Sequence, residues 1–151
     1  MKSRLAIFAI LLWVISAIAL GWFFVRGNTV SVPGERTAIV LQPAERELVL
    51  LEMRGLLTSV QGIVDGVNRN DMAQVAKAAR ASGMGSAADV NPALMAKLPL
   101  SFKQLGMSVH HAMDDIAAAA AGKPANEVLG MLGNTLSSCV ACHSAWQLKS
   151  E

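Results

Sequence analysis

PAERELVLLEMRGLLTSVQGIVDGV, residues 43–67, is the stretch that decides the fold. On a wheel of about 100° per residue, Val49, Leu50, Met53, Leu57, Val60, Val64 and Val67 fall on one side. Glu45, Arg54 and Asp65 lie elsewhere on the wheel. A strand would alternate its apolar positions; this spacing predicts one long amphipathic helix that needs an apolar partner.

Outward from that helix the same periodicity supplies the partners. Asn70 is placed to cap a second helix, with Asp71 in its first turn and Gly83 at its end. Residues 85–89 read as loop, and a short turn is expected over residues 92–97. A third helix opens after Pro99, where Ser101 and Gln104 stand in capping-box spacing. Its stripe of Phe102, Leu105, Val109, Ala112 and Ile116 ends at Gly122. A fourth begins at Pro124, a favoured first-turn residue, and is expected to run toward Leu148. The composition agrees, with 53% hydrophobic but only 5% aromatic residues, because Ala, Leu, Met and Val dominate where a β-sandwich would use Tyr, Thr and Ile. The expected fold is all-α, an antiparallel four-helix bundle over residues 43–151, with a looser helical domain as the alternative.

Upstream, residues 5–25 form an uncharged run of 21 residues, about 30 Å long as a helix and so matched to a bilayer core. Lys2 and Arg4 precede it and only Arg26 follows, which predicts a single transmembrane helix with the rest of the chain exported. Residues 1–26 therefore read as a membrane anchor or uncleaved signal. Ala17-Ile18-Ala19 also has the form of a cleavage site, but cutting there would leave Trp22, Phe23 and Phe24 as a greasy new terminus. Residues 27–42, with Gly27, Pro33 and Gly34 and no sustained period, read as a tether.

The formal net charge of +2 over 151 residues comes from the N-terminus. Of 13 Lys and Arg, three flank the apolar run, and the other ten face 11 Asp and Glu. Such a balance offers no nucleic-acid footprint. Catalysis finds little support: no Ser/His/Asp constellation, paired-carboxylate pocket or phosphate-cradling loop is visible, and a non-enzyme is expected.

The two cysteines lie three apart and are followed by histidine, as Cys139-Val140-Ala141-Cys142-His143. This is the C-x-x-C-H pattern of covalent c-type haem attachment. Thiols one helical turn apart can add to the two vinyl groups of one porphyrin edge, which sets the adjacent imidazole beneath the iron. On the wheel His143 shares its side with Leu129, Leu132, Leu136 and Val140, so its ring is expected to face the bundle interior. Thiol redox chemistry is disfavoured because such motifs open a helix after a strand. Zinc would need two further ligands beyond the cysteines, with His143, His110 and His111 available but not suitably spaced. His110 and His111 lie off the third helix's stripe and read as solvated surface.

An export segment followed by a four-helix bundle with C-x-x-C-H in its last helix resembles the cytochrome c-prime class, and in particular its low-spin, methionine-ligated branch. The likeness spans about residues 43–149. It implies one haem c on Cys139 and Cys142, His143 as an axial ligand, and a first-helix residue facing the iron. Met53, at the centre of the first apolar stripe, fits that position. With Met53 as the second axial ligand the resemblance implies a monohaem electron carrier, membrane-tethered in the bacterial periplasm, or simply periplasmic if the N-terminus is cleaved. Its partners would then be redox proteins in or on the same membrane, and the bundle faces leave a homodimer open. With Met53 displaced, or used only for core packing, the implied alternative is a five-coordinate module for nitric oxide or carbon monoxide. Arg46 and Arg54, near Met53, are candidate propionate partners. The family often carries an aromatic-Arg pair just after the motif; Trp146-Gln147 stands here instead.

Overall fold

The structure is a computed structural model that describes residues 2–88 and 91–151. The expected 85–89 loop therefore runs out of the described residues at Asp89. The chain is mostly helical. An apolar helix α1 (Lys2–Arg26) leads into two short strands, β1 (Thr29–Ser31) and β2 (Thr37–Leu41). Helices α2 (Pro43–Asn68), α3 (Met72–Arg80), α4 (Pro92–Lys97), α5 (Leu100–Ala119) and α6 (Ala125–Ala145) follow, with a 3₁₀ turn at Met84–Ala87, and a strand β3 (Trp146–Ser150) ends the chain.

Helix α1 includes a segment, Arg4–Arg26, with a mean hydropathy of 2.5 and none of it buried. It is long and apolar enough to cross a membrane or to serve as a signal sequence.

The stretch expected to be a tether is largely folded. Thr37-Ala38-Ile39-Val40-Leu41 pairs on both edges, antiparallel to β1 (Thr29 opposite Ile39) and parallel to β3 (Thr37 opposite Trp146, Leu41 opposite Ser150). Ala38, Ile39 and Leu41 are completely buried. A strand covered on both faces has no alternation to announce it, which is why periodicity passed over it. Its hairpin turns at Gly34, whose φ of 109° is left-handed territory. The small sheet also stops the last helix at Ala145 rather than near Leu148, because residues 146–150 spend their backbone hydrogen bonds on β2.

Helix α2 starts at Pro43, and the Glu45 carboxylate accepts the Gln42 N–H at 3.0 Å. The turn after it is made by Asn70 at φ 55°. Asp71, not Asn70, caps α3, accepting the Gln74 N–H at 2.9 Å. That second helix ends at Arg80, before the expected Gly83, and α5 ends at Ala119 rather than Gly122. The α5 start uses Pro99 as its cap, with no side-chain hydrogen bond from the Ser101 and Gln104 pair.

Two clusters make the core. The larger joins Ile63 of α2, Val75 and Ala79 of α3, Met113, Ile116 and Ala117 of α5, and Val128 and Leu132 of α6. The smaller sets Ile39 and Leu41 of β2 against Val49 of α2, Leu94 and Leu98, with Met53, Phe102, Trp146 and Leu148 packed around it. Helix α2 lies on α3, α3 on α5 and α5 on α6, whereas α2 and α6 meet over only a short stretch. That gap between α2 and α6 positions the site.

Candidate functional site

A cavity of about 180 Å³ opens where α2, α5 and α6 meet the sheet. Met53 and Leu50 enter it from α2, Phe102 from α5, and Cys142 and His143 from the last turn of α6. Trp146, Gln147 and Leu148 of β3 close its end, and Phe102 packs edge-to-face on Trp146 with ring centroids 6.4 Å apart. Three of the four residues singled out in the sequence, Met53, Cys142 and His143, thus share one cleft. Cys139 lies one turn back on α6, half-buried and outside the cavity lining.

The cavity is smaller than the roughly 300–1,000 Å³ that encloses a drug-sized ligand, but apolar stripes continue from it on both helices. On α2 the stripe of Leu50 and Met53 runs on to Leu57 and Val64; on α6 that of His143 runs back through Val140 and Leu136. These side chains are solvent-exposed, Leu57 to 69% and Val140 to 66%. His143 is itself exposed, so its ring sits at the rim of an open seam rather than inside a closed bundle as expected. The reason is the short α2 to α6 contact, which leaves both stripes uncovered.

Cys139 and Cys142 are half-buried and form no disulfide. Burial pushes both thiols up, with the neighbouring Cys139 adding to the effect on Cys142, the opposite of the depressed thiol that marks a reactive redox pair. Among the described residues no three His, Cys, Asp or Glu side chains converge to hold a metal ion. A haem is a different requirement: two thiols on one turn, an imidazole beside them and a soft ligand across an apolar gap. Cys139, Cys142, His143 and Met53 are residues of those types, three of them on one cleft, and the exposed stripes are apolar surface that such a group would cover.

Two guanidiniums line the cleft, Arg46 of α2 and Arg36 of the hairpin. Neither forms an ion pair among the described residues, whereas Arg54 is bonded to Glu47 and is absent from the lining. Arg46 therefore stays a candidate for anionic ligand groups and Arg54 does not. Arg36 lies in the segment whose sequence has no sustained period, so no local pattern points to it.

His110 corrects another expectation. It is only 4% exposed, and its Nδ1 and Nε2 lie 2.9 Å from the Ser82 carbonyl oxygen and 2.8 Å from the Glu52 carboxylate. Its pKa is raised, chiefly by the Glu52 hydrogen bond against the opposing effect of burial. The buried face of α5 is not centred on Leu105 and Ile116. Met113, Ala117 and Ala120 are also buried and turn the inner face toward His110. His111 is exposed as expected.

Searches of protein-family models, curated proteins and solved structures found no match to this chain.

Proposed function

We propose that the chain is a monohaem c-type cytochrome that carries electrons, related in design to the methionine-ligated branch of the cytochrome c-prime class. The observation that carries the reading is that Met53 of α2 and the Cys142-His143 end of the C-x-x-C-H motif line the same cleft. Cys139 and Cys142 would hold the haem by thioether bonds, His143 and Met53 would be its axial ligands, and the group supplies a one-electron iron couple when bound.

The chain's own residues then have definite tasks. The His143 imidazole and the Met53 thioether would both serve as iron donors, a pair that favours a low-spin centre, and the thioether would favour the reduced state. Phe102, Trp146 and Leu50 keep water from one edge. Arg36 and Arg46 offer fixed positive charge to carboxylates at the mouth. The apolar α1 is read as a single-pass anchor in the inner membrane, with the domain on the periplasmic side facing redox partners in the same bilayer. Closure of α2, α3, α5 and α6 into an antiparallel bundle, with haem completing the α2 to α6 seam, belongs to the same reading.

A second reading has its own support: Met53 also packs against the Ile39, Leu41 and Val49 cluster, so its side chain serves the core whether or not it binds iron. In that case the position opposite His143 is open to nitric oxide or carbon monoxide. Absorption spectra of the oxidised, reduced and carbon-monoxide-treated protein, made in a host with c-type haem maturation, decide among these. The expected result is a low-spin spectrum, with the weak charge-transfer band of ferric methionine ligation, that is indifferent to the gas. Met53→Ala should convert it to a high-spin form that binds carbon monoxide and has a lower reduction potential. A wild-type spectrum that is already high-spin favours gas binding, and absence of covalent haem sinks both readings.

A further inference from the structure

The junction between α1 and the cleft domain contains a charged group that the proposed chemistry does not use. Lys103 of α5 is only 8% exposed. Its Nζ donates to the Phe24 carbonyl in the last turn of α1 at 3.1 Å and to the Met95 carbonyl at 3.3 Å. The same ammonium stands 3.6 Å from the centre of the Phe24 ring. The last carbonyls of a helix lack intrahelical partners and carry the negative end of its dipole, so a cation there is favourably placed. An aromatic face adds to that attraction in a water-poor site.

Three residues beyond Phe24, the backbone is locked as well. Gly27 takes φ 64°, and a Cβ on it would stand 2.5 Å from the Lys97 oxygen and 2.6 Å from the Pro99 nitrogen. Only glycine fits so close to the α4–α5 junction. The Asn28 N–H donates to the Lys97 carbonyl at 2.7 Å, the Val40 N–H donates to the Asn28 carbonyl at 2.8 Å, and the Asn28 side-chain amide donates to the Val40 carbonyl at 2.9 Å. One short segment is thus pinned to α4 and β2 while Lys103 grips the helix before it. The residue preceding Lys103 is Phe102, a wall of the cleft.

From this arrangement we infer that Lys103 is the centre of a clasp that joins the apolar helix and the cleft domain into one rigid body. The cleft is then held at one height and one angle above the bilayer, and it meets a partner in that bilayer by lateral diffusion rather than by swinging on a tether. This rests on the reading of α1 as an anchor, but not on haem. Burial pushes the Lys103 pKa down, a cost that a side chain free to reach water would not bear.

Hydrogen exchange at the Asn28 and Val40 amides tests the clasp, measured on the full chain in phosphatidylcholine–phosphatidylglycerol vesicles. Both amides should be protected in the wild type. Lys103→Met, which keeps the volume and removes the donors, should speed their exchange by about tenfold, the scale of a lost charge-assisted bond. Gly27→Ala, which changes no charge, should do the same by forcing the junction apart. Protection within α5 and α6 reports whether either variant remains folded. Wild-type amides that exchange like free peptide overturn the clasp outright, as does unchanged protection in both folded variants. Flotation separates the two ideas: a chain that does not float with the vesicles defeats the anchor, and one that floats with freely exchanging junction amides defeats the clasp alone.

Discussion

His110 and Glu52 show how a single pair can set the direction of a neighbouring side chain. Glu52 precedes Met53 on α2, about 100° around the helix. Tying Glu52 to the buried His110 fixes the roll of α2, and that roll aims Met53 at the cleft. The ring faces two acceptors, the Glu52 carboxylate and the Ser82 carbonyl. An imidazolium donates to both; a neutral ring donates to only one. This is the physical content of its raised pKa. A group whose pKa rises on folding contributes stability in full below its unfolded value of about 6.5. That contribution is lost as the pH climbs through the folded pKa. Thermal melts from pH 5 to 9 should therefore show stability falling across neutral to mildly alkaline pH. Glu52→Gln should flatten this slope and lower stability at pH 5 by roughly 1.5–3 kcal/mol, the range for a hydrogen bond to a charged group. A wild-type profile with no slope there removes the argument.

At the scale of elements, the helices were legible and the strands were not. Residues 43–67 carry a 3.6 period long enough to be unmistakable, and α2 covers Pro43–Asn68. The five residues of β2 carry no alternation, and their parallel partner β3 lies at the other end of the chain. No local turn signal joins such strands, so the sheet emerges only from tertiary packing. The site divides the same way. Cys139, Cys142 and His143 are contiguous, and Met53 sits on a readable stripe, but Arg36, Glu52 with His110, and Lys103 gain their roles from neighbours distant in sequence. Ile39→Ala separates strand from tether. Ile39 is fully buried beside Leu41 and Val49, so its truncation should cost about 2–5 kcal/mol in denaturant unfolding. The same change in a solvated linker would stay within about 0.5 kcal/mol.

For the molecule as a whole, the unusual feature is an apolar seam left open between α2 and α6, which meet over only a short stretch. The larger cluster buries the contacts among α2, α3, α5 and α6, yet Leu57 and Val64 on α2, and Leu136 and Val140 on α6, remain exposed. Covering such a side chain completely is worth about 1.5–3 kcal/mol. A group attached at Cys139 and Cys142, as proposed, would lie next to this surface and would stabilise the fold by whatever apolar area it removed from water, in addition to any bonds to iron. The chain carrying both Cys139→Ser and Cys142→Ser tests this, made in the same haem-maturing host and compared with the wild type in detergent. Serine is close in size to cysteine, so the substitutions themselves leave the half-buried positions filled. The expected outcome is a melting temperature lower by several degrees, together with increased binding of a fluorescent apolar dye. An additional change, Val140→Glu, should abolish most of that dye signal by charging the seam at its most exposed apolar position on α6. Equal melting temperatures and equal dye binding in wild type and double variant would mean that nothing attached at the motif covers the seam. The open face would then have to be assigned to something other than haem.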